Sequence, residues 1–261
     1  MRNLYLAAGS FLDVSAGELA DIAIDLDGCA GIGLRLSGEH GVADVARAAA
    51  IRHRLEVADR RVHDIEVVRV SADFDPRTAV PLMSRASEVG AGHVLAVSDL
   101  GESGGRSALD ESIDVFAALR DLAREHGLDV AVEYMAWTTP HDVDGALRIF
   151  ETTGCRVVVD LLHHCRIGAT VAELERLVGA DAIAWVQVCD APAHLEAESL
   201  LHEARHGRLI PGEGGLPLRD YLAVVPSHVD ISIEVQSDEL LVIEPRERAR
   251  RLLDATRALV D

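Results

Sequence analysis

The chain has no lysine; all 25 of its basic residues are arginine. That excludes Schiff-base chemistry on a lysine, pyridoxal phosphate catalysis included, and it excludes a Walker phosphate loop. Basic charge is short overall: 44 acidic residues leave a net charge of -19. A phosphate-backbone partner is therefore not expected, because affinity for nucleic acid rests on Lys and Arg neutralising phosphates, and anionic membranes are disfavoured for the same reason. The four cysteines, Cys29, Cys155, Cys165 and Cys189, form no C-x-x-C pair and no disulfide scaffold, so they read as reduced, small hydrophobes. The N-terminus MRNLYLAAGSFLD is too short in apolar residues for a signal peptide, and no apolar run approaches the length of a membrane span. The expected compartment is cytoplasmic. A dinucleotide fingerprint is also missing: after the first candidate strand stands AAGSFLD, with one glycine where G-x-G-x-x-G would be needed.

What the chain does have is a regular alternation. At 261 residues and 49 % apolar content, with a mean hydropathy of +0.14, it can bury a sizeable core. Short apolar runs at Asn3–Ala8, Gly31–Ser37, Asp64–Ser71, His93–Ser98, Asp129–Tyr134, Arg156–Leu161, Ile183–Cys189 and Asp230–Val235 read as strands. Between them lie helical patterns such as Leu109–His126, Pro140–Thr153, Val171–Val178 and the arginine-rich Pro245–Val260. Helix-start residues occur at Asp13 to Ser15, at Ser112 and at Thr170, where Glu173 completes a capping box; glycines 90, 127, 154 and 179 close helices. Eight strands each followed by a helix predict a parallel sheet with right-handed crossovers. At this length the natural closure is a single-domain (β/α)8 TIM barrel over residues 1–261, with a doubly wound open sheet as the competitor. The longest irregular piece, Asp190–Pro217, interrupts the pattern after the seventh strand.

Four consecutive strands end alike: DVAVE at Glu133, RVVVD at Asp160, IAWVQ at Gln187 and DISIE at Glu234. Residues two apart share a strand face, and Ala131, Val158 and Ser232, two before the carboxylates, leave room at the barrel centre. In a barrel these ends converge on one mouth. Like charges that close do not all stay ionised without a cation, so the set Glu133, Asp160, Gln187 and Glu234 predicts one bound divalent metal. With oxygen donors alone, Mn2+ or Mg2+ fits better than Zn2+, and Co2+ and Zn2+ stand as second choices. Each carboxylate taken singly reads equally well as a helix cap or an arginine partner.

These motifs resemble the sugar phosphate isomerase/epimerase family, the xylose isomerase-like TIM barrels that also include AP endonuclease IV. The pattern is matched by Glu133, Asp160 with His163, Gln187 with Asp190, Arg208, the Pro211–Gly214 run PGEG, and Glu234. Gln187 departs from the histidine of many members and is similar to some dehydroshikimate dehydratase-like ones. The Asp-x-His that the endonuclease branch uses after the seventh strand is absent.

The resemblance implies a metal-dependent isomerase or epimerase of a small keto-sugar or related polyol, working through a metal-stabilised enediolate. Glu133 and Glu234 are the expected proton carriers, and His163 the group that bonds a substrate oxygen or acts as acid. Arg208 is expected to bind a substrate oxyanion, with Arg35 and Trp137 also lining the substrate. Tyr134 and Phe74 read as apolar wall or core, and His141, His202 and His206 as solvated loop residues. The alternative is a dehydratase acting by β-elimination on a dehydroshikimate- or keto-inositol-like substrate; a non-catalytic sugar-binding barrel ranks third. The partner is a small-molecule substrate, with homo-oligomerisation left open.

Overall fold

The structure, a computed structural model, describes residues 2–36, 41–42, 44–71, 74–98, 105–195 and 199–260, with the backbone alone for 105–107. In chain order the elements are β1 (Leu4–Leu6), α1 (Ala16–Ile24), β2 (Cys29–Arg35), α2 (Val45–Val57), β3 (Arg61–Val70), α3 (Val80–Val89), β4 (His93–Ser98), α4 (Gly105–Glu125), β5 (Asp129–Glu133) and α5 (Val143–Thr153). There follow β6 (Arg156–Asp160), α6 (Leu161–Arg166), α7 (Val171–Gly179), β7 (Ile183–Val188), α8 (Leu200–His206), α9 (Leu218–Val224), β8 (Asp230–Ile233) and α10 (Pro245–Val260). The eight strands are parallel and close in sequence order, β1 pairing with β8, into one TIM barrel domain. Closure leaves no sheet edge and brings all eight C-terminal strand ends to one mouth.

Local chemistry places most boundaries. Ser15 caps α1 by accepting from Glu18 N, and Thr170 and Glu173 form the expected capping box at α7. Gly90 and Gly154 close α3 and α5 in the left-handed region. Ser112 does not open a helix: α4 begins at Gly105, and the Ser112 hydroxyl, buried inside it, donates to Ala108 O at 2.8 Å, the way a mid-helix serine satisfies itself. Gly179 is the last residue of α7, whose cap is Ala180. The irregular insertion Asp190–Pro217 carries the short α8. Part of the second expected strand, Ser37, lies outside the described residues. No helix among the described residues is long and apolar enough to cross a membrane.

Two apolar regions result. The large one lies between the sheet and the surrounding helices; the small one lies inside the barrel, where Leu95, Ala131, Val158 and Trp185 from four successive strands pack together. Their small side chains, Trp185 excepted, keep the centre open beneath the mouth.

The barrel floor is polar. His63 is buried, with Nδ1 2.8 Å from Asp64 Oδ1 and Nε2 3.4 Å from Asp230 Oδ2. Its ring meets Tyr5 at 4.3 Å, Trp185 at 5.0 Å and His93 at 5.2 Å, while Arg61 lies over Tyr5 and pairs with Asp230. Burial opposes charge on His63, but the bonds to Asp230 and Asp64 outweigh it and raise its pKa above the ordinary 6.5. Burial also works against Asp230, where His63, Asn3 and Arg61 reverse the sign and hold it below 3.8. His93, by contrast, is lowered by burial and by His63.

A raised imidazole stabilises fully below 6.5 and loses its contribution as pH rises through the folded value; a lowered carboxylate stabilises above 3.8 and loses its contribution as pH falls through its folded value. The pair therefore contributes most between those limits. Denaturant unfolding of the wild type and His63→Gln should show a larger stability difference at pH 5.5 than at pH 8.5. Equal differences at both pH values contradict the assignment.

Candidate active site

β5, β6, β7 and β8 deliver the acid series to the mouth. In the ladder Asp160 stands opposite Gln187, and Gln187 opposite Ser232, so adjacent strands bring these side chains level. Glu133, Asp160, Gln187 and Glu234 are all buried. Glu133 and Glu234 line a cavity of about 320 Å3, whose wall also includes Arg35, Glu66, Trp137, His163 and Arg208; Asp160 and Gln187 are not part of that lining, and Asp160 reaches it through Arg208.

Arg208 is the hub. Its Nη1 donates to Asp160 Oδ2 at 2.6 Å and to the Glu234 carbonyl at 3.0 Å, and lies 3.5 Å from Glu234 Oε2. Its Nε donates to Ala204 O on α8. The guanidinium is 2 % exposed, which makes this a buried ion pair rather than a surface one. Losing one partner of such a pair costs about 3–5 kcal/mol. Asp160 also caps α6, Oδ1 accepting from Leu162 N at 2.8 Å and His163 N at 3.3 Å. Both ordinary roles of a strand-end acid, helix cap and arginine partner, are thus filled by Asp160 while it sits within the acidic cluster. Burial penalises its charge, yet Arg208, His163 and the capping amide bring its pKa below the usual value.

The glutamates behave in the opposite way. Burial first, then Asp160 and Glu234, push Glu133 well above the ordinary carboxylate range. Glu234 is raised by burial and Asp160 against the pull of Arg208. A third glutamate, Glu66 in the middle of β3, is also raised by burial and by Glu234. The acid series does not include Glu66, because β3 shifts register against both neighbours and its parity cannot be counted along the sequence. The sequence signal is the pair Asp64 and Glu66, two acids at strand spacing within HDIEVV.

The two histidines of α6 are separated by the helical turn. His164 faces the helical layer, where Tyr134 Oη bonds Nδ1 at 2.6 Å and Nε2 donates to Thr170 O at 3.0 Å, so Tyr134 and His164 are structural. His163 faces the cavity beside Trp137, edge to face at 5.1 Å. Its Nε2 lies 3.4 Å from Arg208 Nη2, which can only donate. Burial lowers its pKa to about 4, so near neutrality it is uncharged with a lone pair on Nε2. That nitrogen is 3.8 Å from Glu133 Oε1 and 3.8 Å from Asp160 Oδ2.

Ligand atoms of Glu133, Asp160 and His163 lie within 4.8 Å of one another, a group able to hold a metal ion. Gln187 supports the fit: both of its side-chain polar atoms are buried without a protein partner, and such orphans normally have a partner of another kind. Glu234 is set apart from the group, with Arg208 between it and Asp160. It has space because residue 9 is glycine; a Cβ there would fall 2.2 Å from Glu234 Oε1.

The remaining expected residues divide. Arg35 reaches the cavity, its Nε 3.7 Å from Glu66 Oε2. Phe74 packs on the outer core. His141 and His202 are exposed, as expected, whereas His206 is exposed but stands on the cavity rim, held by Asp238 at 3.0 Å. Asp190 turns away from the mouth: its carboxylate accepts from Ala191 N, Gly212 N and Leu216 N and so folds the PGEG loop. Gly214 is required there, since a Cβ would lie 2.4 Å from Ala191 O.

Over 144 residues, 52 % of its length, this chain is 26 % identical to 3-dehydroshikimate dehydratase of Pseudomonas putida, and spans only 22 % of that protein's length. Among solved structures, the IOLI protein with a binding zinc atom superimposes with a TM-score of 0.83 at 17 % identity, covering all of this chain and 98 % of the other. D-psicose 3-epimerase from Clostridium cellulolyticum, solved with D-tagatose, gives a TM-score of 0.75 at 9 % identity over the whole of both chains. These two structural likenesses show the fold. The family model of the xylose isomerase-like TIM barrel matches residues 42–259, and the chain belongs to that family.

Proposed function

We propose that the chain is a divalent-metal-dependent isomerase or epimerase of a small keto-sugar or related polyol. The observation that carries this reading is the pair of buried glutamates, Glu133 and Glu234, both with raised pKa, lining one cavity with Arg208, which is paired to Asp160 and lies near Glu234. Epimerisation and isomerisation need one carboxylate to take a proton from carbon and one carboxylic acid to return it, and burial and crowding shift both glutamates toward the proton-holding form.

Glu133, Asp160 and His163, with Gln187 beside them, would hold the ion. A set that adds an imidazole nitrogen to oxygen donors suits Mn2+ better than Mg2+ and brings Zn2+ closer, in keeping with the zinc-bearing structural neighbour. When bound, the ion polarises a substrate carbonyl and stabilises negative charge on its oxygen. The protein's own groups do the rest. Glu234 as carboxylate removes the proton from the carbon next to the carbonyl, and Glu133 as acid delivers one. Arg208 holds Asp160 ionised and faces His163, keeping that imidazole neutral. Trp137, Leu95 and Met135 supply apolar wall against water.

A second reading has its own support. Arg35, Arg69 and Arg205 all border the cavity, and Arg205 is exposed on α8; a rim rich in guanidinium suits a substrate that carries a carboxylate. Together with the partial likeness to the Pseudomonas dehydratase, this favours dehydration of a dehydroshikimate-like substrate. Glu234 would take the proton as before, the β C–O bond would break, and the acid form of Glu133 would protonate the departing hydroxyl to water. A sugar-binding barrel without turnover is the third outcome.

Incubation with keto-sugars, keto-inositols and dehydroshikimate in D2O separates these. Deuterium next to the carbonyl without loss of water is the expected result; a conjugated product identifies the dehydratase; no exchange in metal-loaded protein with any substrate overturns both. Elemental analysis should find about one divalent ion per chain, lost in Glu133→Gln and Asp160→Asn. Glu234→Gln should retain the ion and lower kcat by about 10²- to 10⁴-fold.

A further inference from the structure

Glu66 is a buried carboxylate that the proton-transfer scheme does not use. It is 3 % exposed, lines the cavity, and its Oε1 has no partner in the protein. Leaving such an oxygen unpaired inside a protein is costly, and where one borders a cavity the missing partner belongs to what the cavity receives. Besides the backbone of Ala8, the carboxyl's basic neighbour is Arg35, whose Nε stands 3.7 Å from Oε2, beyond hydrogen-bond length, and whose side chain is 39 % exposed.

The two residues are register partners on adjacent strands, Arg35 on β2 and Glu66 on β3. They present an acceptor and a donor side by side, both reaching the cavity that contains Glu133 and His163. A guanidinium donates only, and the Glu66 carboxyl offers an acceptor oxygen whether it is ionised or, as burial favours, protonated. Two hydroxyls on neighbouring carbons match that pair: one donates to Glu66 Oε1, and the next accepts from Arg35. Val67, Leu95 and Val97 in the same wall give the C–H face of a carbon chain or ring an apolar surface.

We infer that Glu66 and Arg35 form a vicinal-diol subsite in the cavity shared with Glu133 and Glu234, which points to a polyol with adjacent hydroxyls as the substrate class. The inference deepens the isomerase reading and rests on it for the carbonyl end alone. It distinguishes true polyols from short keto compounds, which would reach the metal ligands and leave Glu66 unpaired.

The test uses unreactive ligands so that turnover is not needed. Binding of xylitol and myo-inositol, each against an analogue lacking one hydroxyl of a vicinal pair, is measured by calorimetry on wild type, Glu66→Gln, Glu66→Ala and Arg35→Ala, with metal content checked in each. Hydrogen bonds to charged groups predict roughly a ten- to hundred-fold loss for the full polyols in Glu66→Ala and Arg35→Ala, partial recovery in Glu66→Gln, and little change for the deoxy analogues. Equal losses for polyol and deoxy analogue, no loss in either, or no polyol binding to wild type would overturn the subsite. Glu66-dependent polyol binding without deuterium exchange on any carbonyl substrate leaves the subsite standing and removes the isomerase reading. Exchange that proceeds while Glu66→Ala binds polyols as wild type does removes the subsite alone.

Discussion

Four carboxylates, Glu66, Glu133, Asp160 and Glu234, are buried around one barrel mouth, and among the described residues Arg208 is the one guanidinium buried with them. That imbalance organises the site. Arg208 pays for one charge, and the one it selects is Asp160, whose pKa falls while those of the three glutamates rise. The excess can be relieved in two ways, by protons or by a divalent cation, and the proposed chemistry uses both. A cation held by Glu133, Asp160 and His163 would meet part of the excess, and the proton that a raised glutamate retains is the kind a transfer reaction requires.

The fold exists to make this crowding tolerable. Small inward residues on β5 and β6 leave space below the carboxylates, Trp185 fills the level beneath Gln187, and the floor answers its own acids, Asp64 and Asp230, with His63 and Arg61. The insertion after β7 supplies Arg208 from outside the barrel. It is anchored by Asp190 at its start, by the backbone bridges Asp190–Leu209 and Gly207–Ser237, and by the buried Arg166–Glu203 pair, whose two bonds of 2.7 and 2.8 Å tie α8 to α6. The loop that carries the hub is consequently fixed at several points, as a preorganised electrostatic site requires.

Much of this was legible along the chain because it follows short-range rules. Strand periodicity put Glu133, Asp160 and Gln187 on one face, and the even repeat of strand and helix implied closure, with Glu234 at the last strand end. What escaped depends on tertiary detail. Glu66 lies beyond a register shift that breaks the two-residue parity. Arg208 comes from 48 residues beyond Asp160, and no local pattern says that it pairs with that carboxylate. His163 and His164 are adjacent in the chain and differ only by the rotation of a short helix. Asp190 reads like one more strand-end acid, yet three backbone amides draw it into the loop. The floor cluster is spread over five strands, β1, β3, β4, β7 and β8, and leaves no motif.

The central claim is that a divalent ion and protons compete for one excess of buried carboxylate. The most direct measurement is calorimetric titration of the metal-free protein with Mn2+ near pH 6.5 in buffers of different ionisation enthalpy, which counts protons released on binding. The account predicts binding at about one ion per chain with net proton release, larger at pH 6 than at pH 8. Binding with no proton release at either pH, or no binding at all, would contradict it.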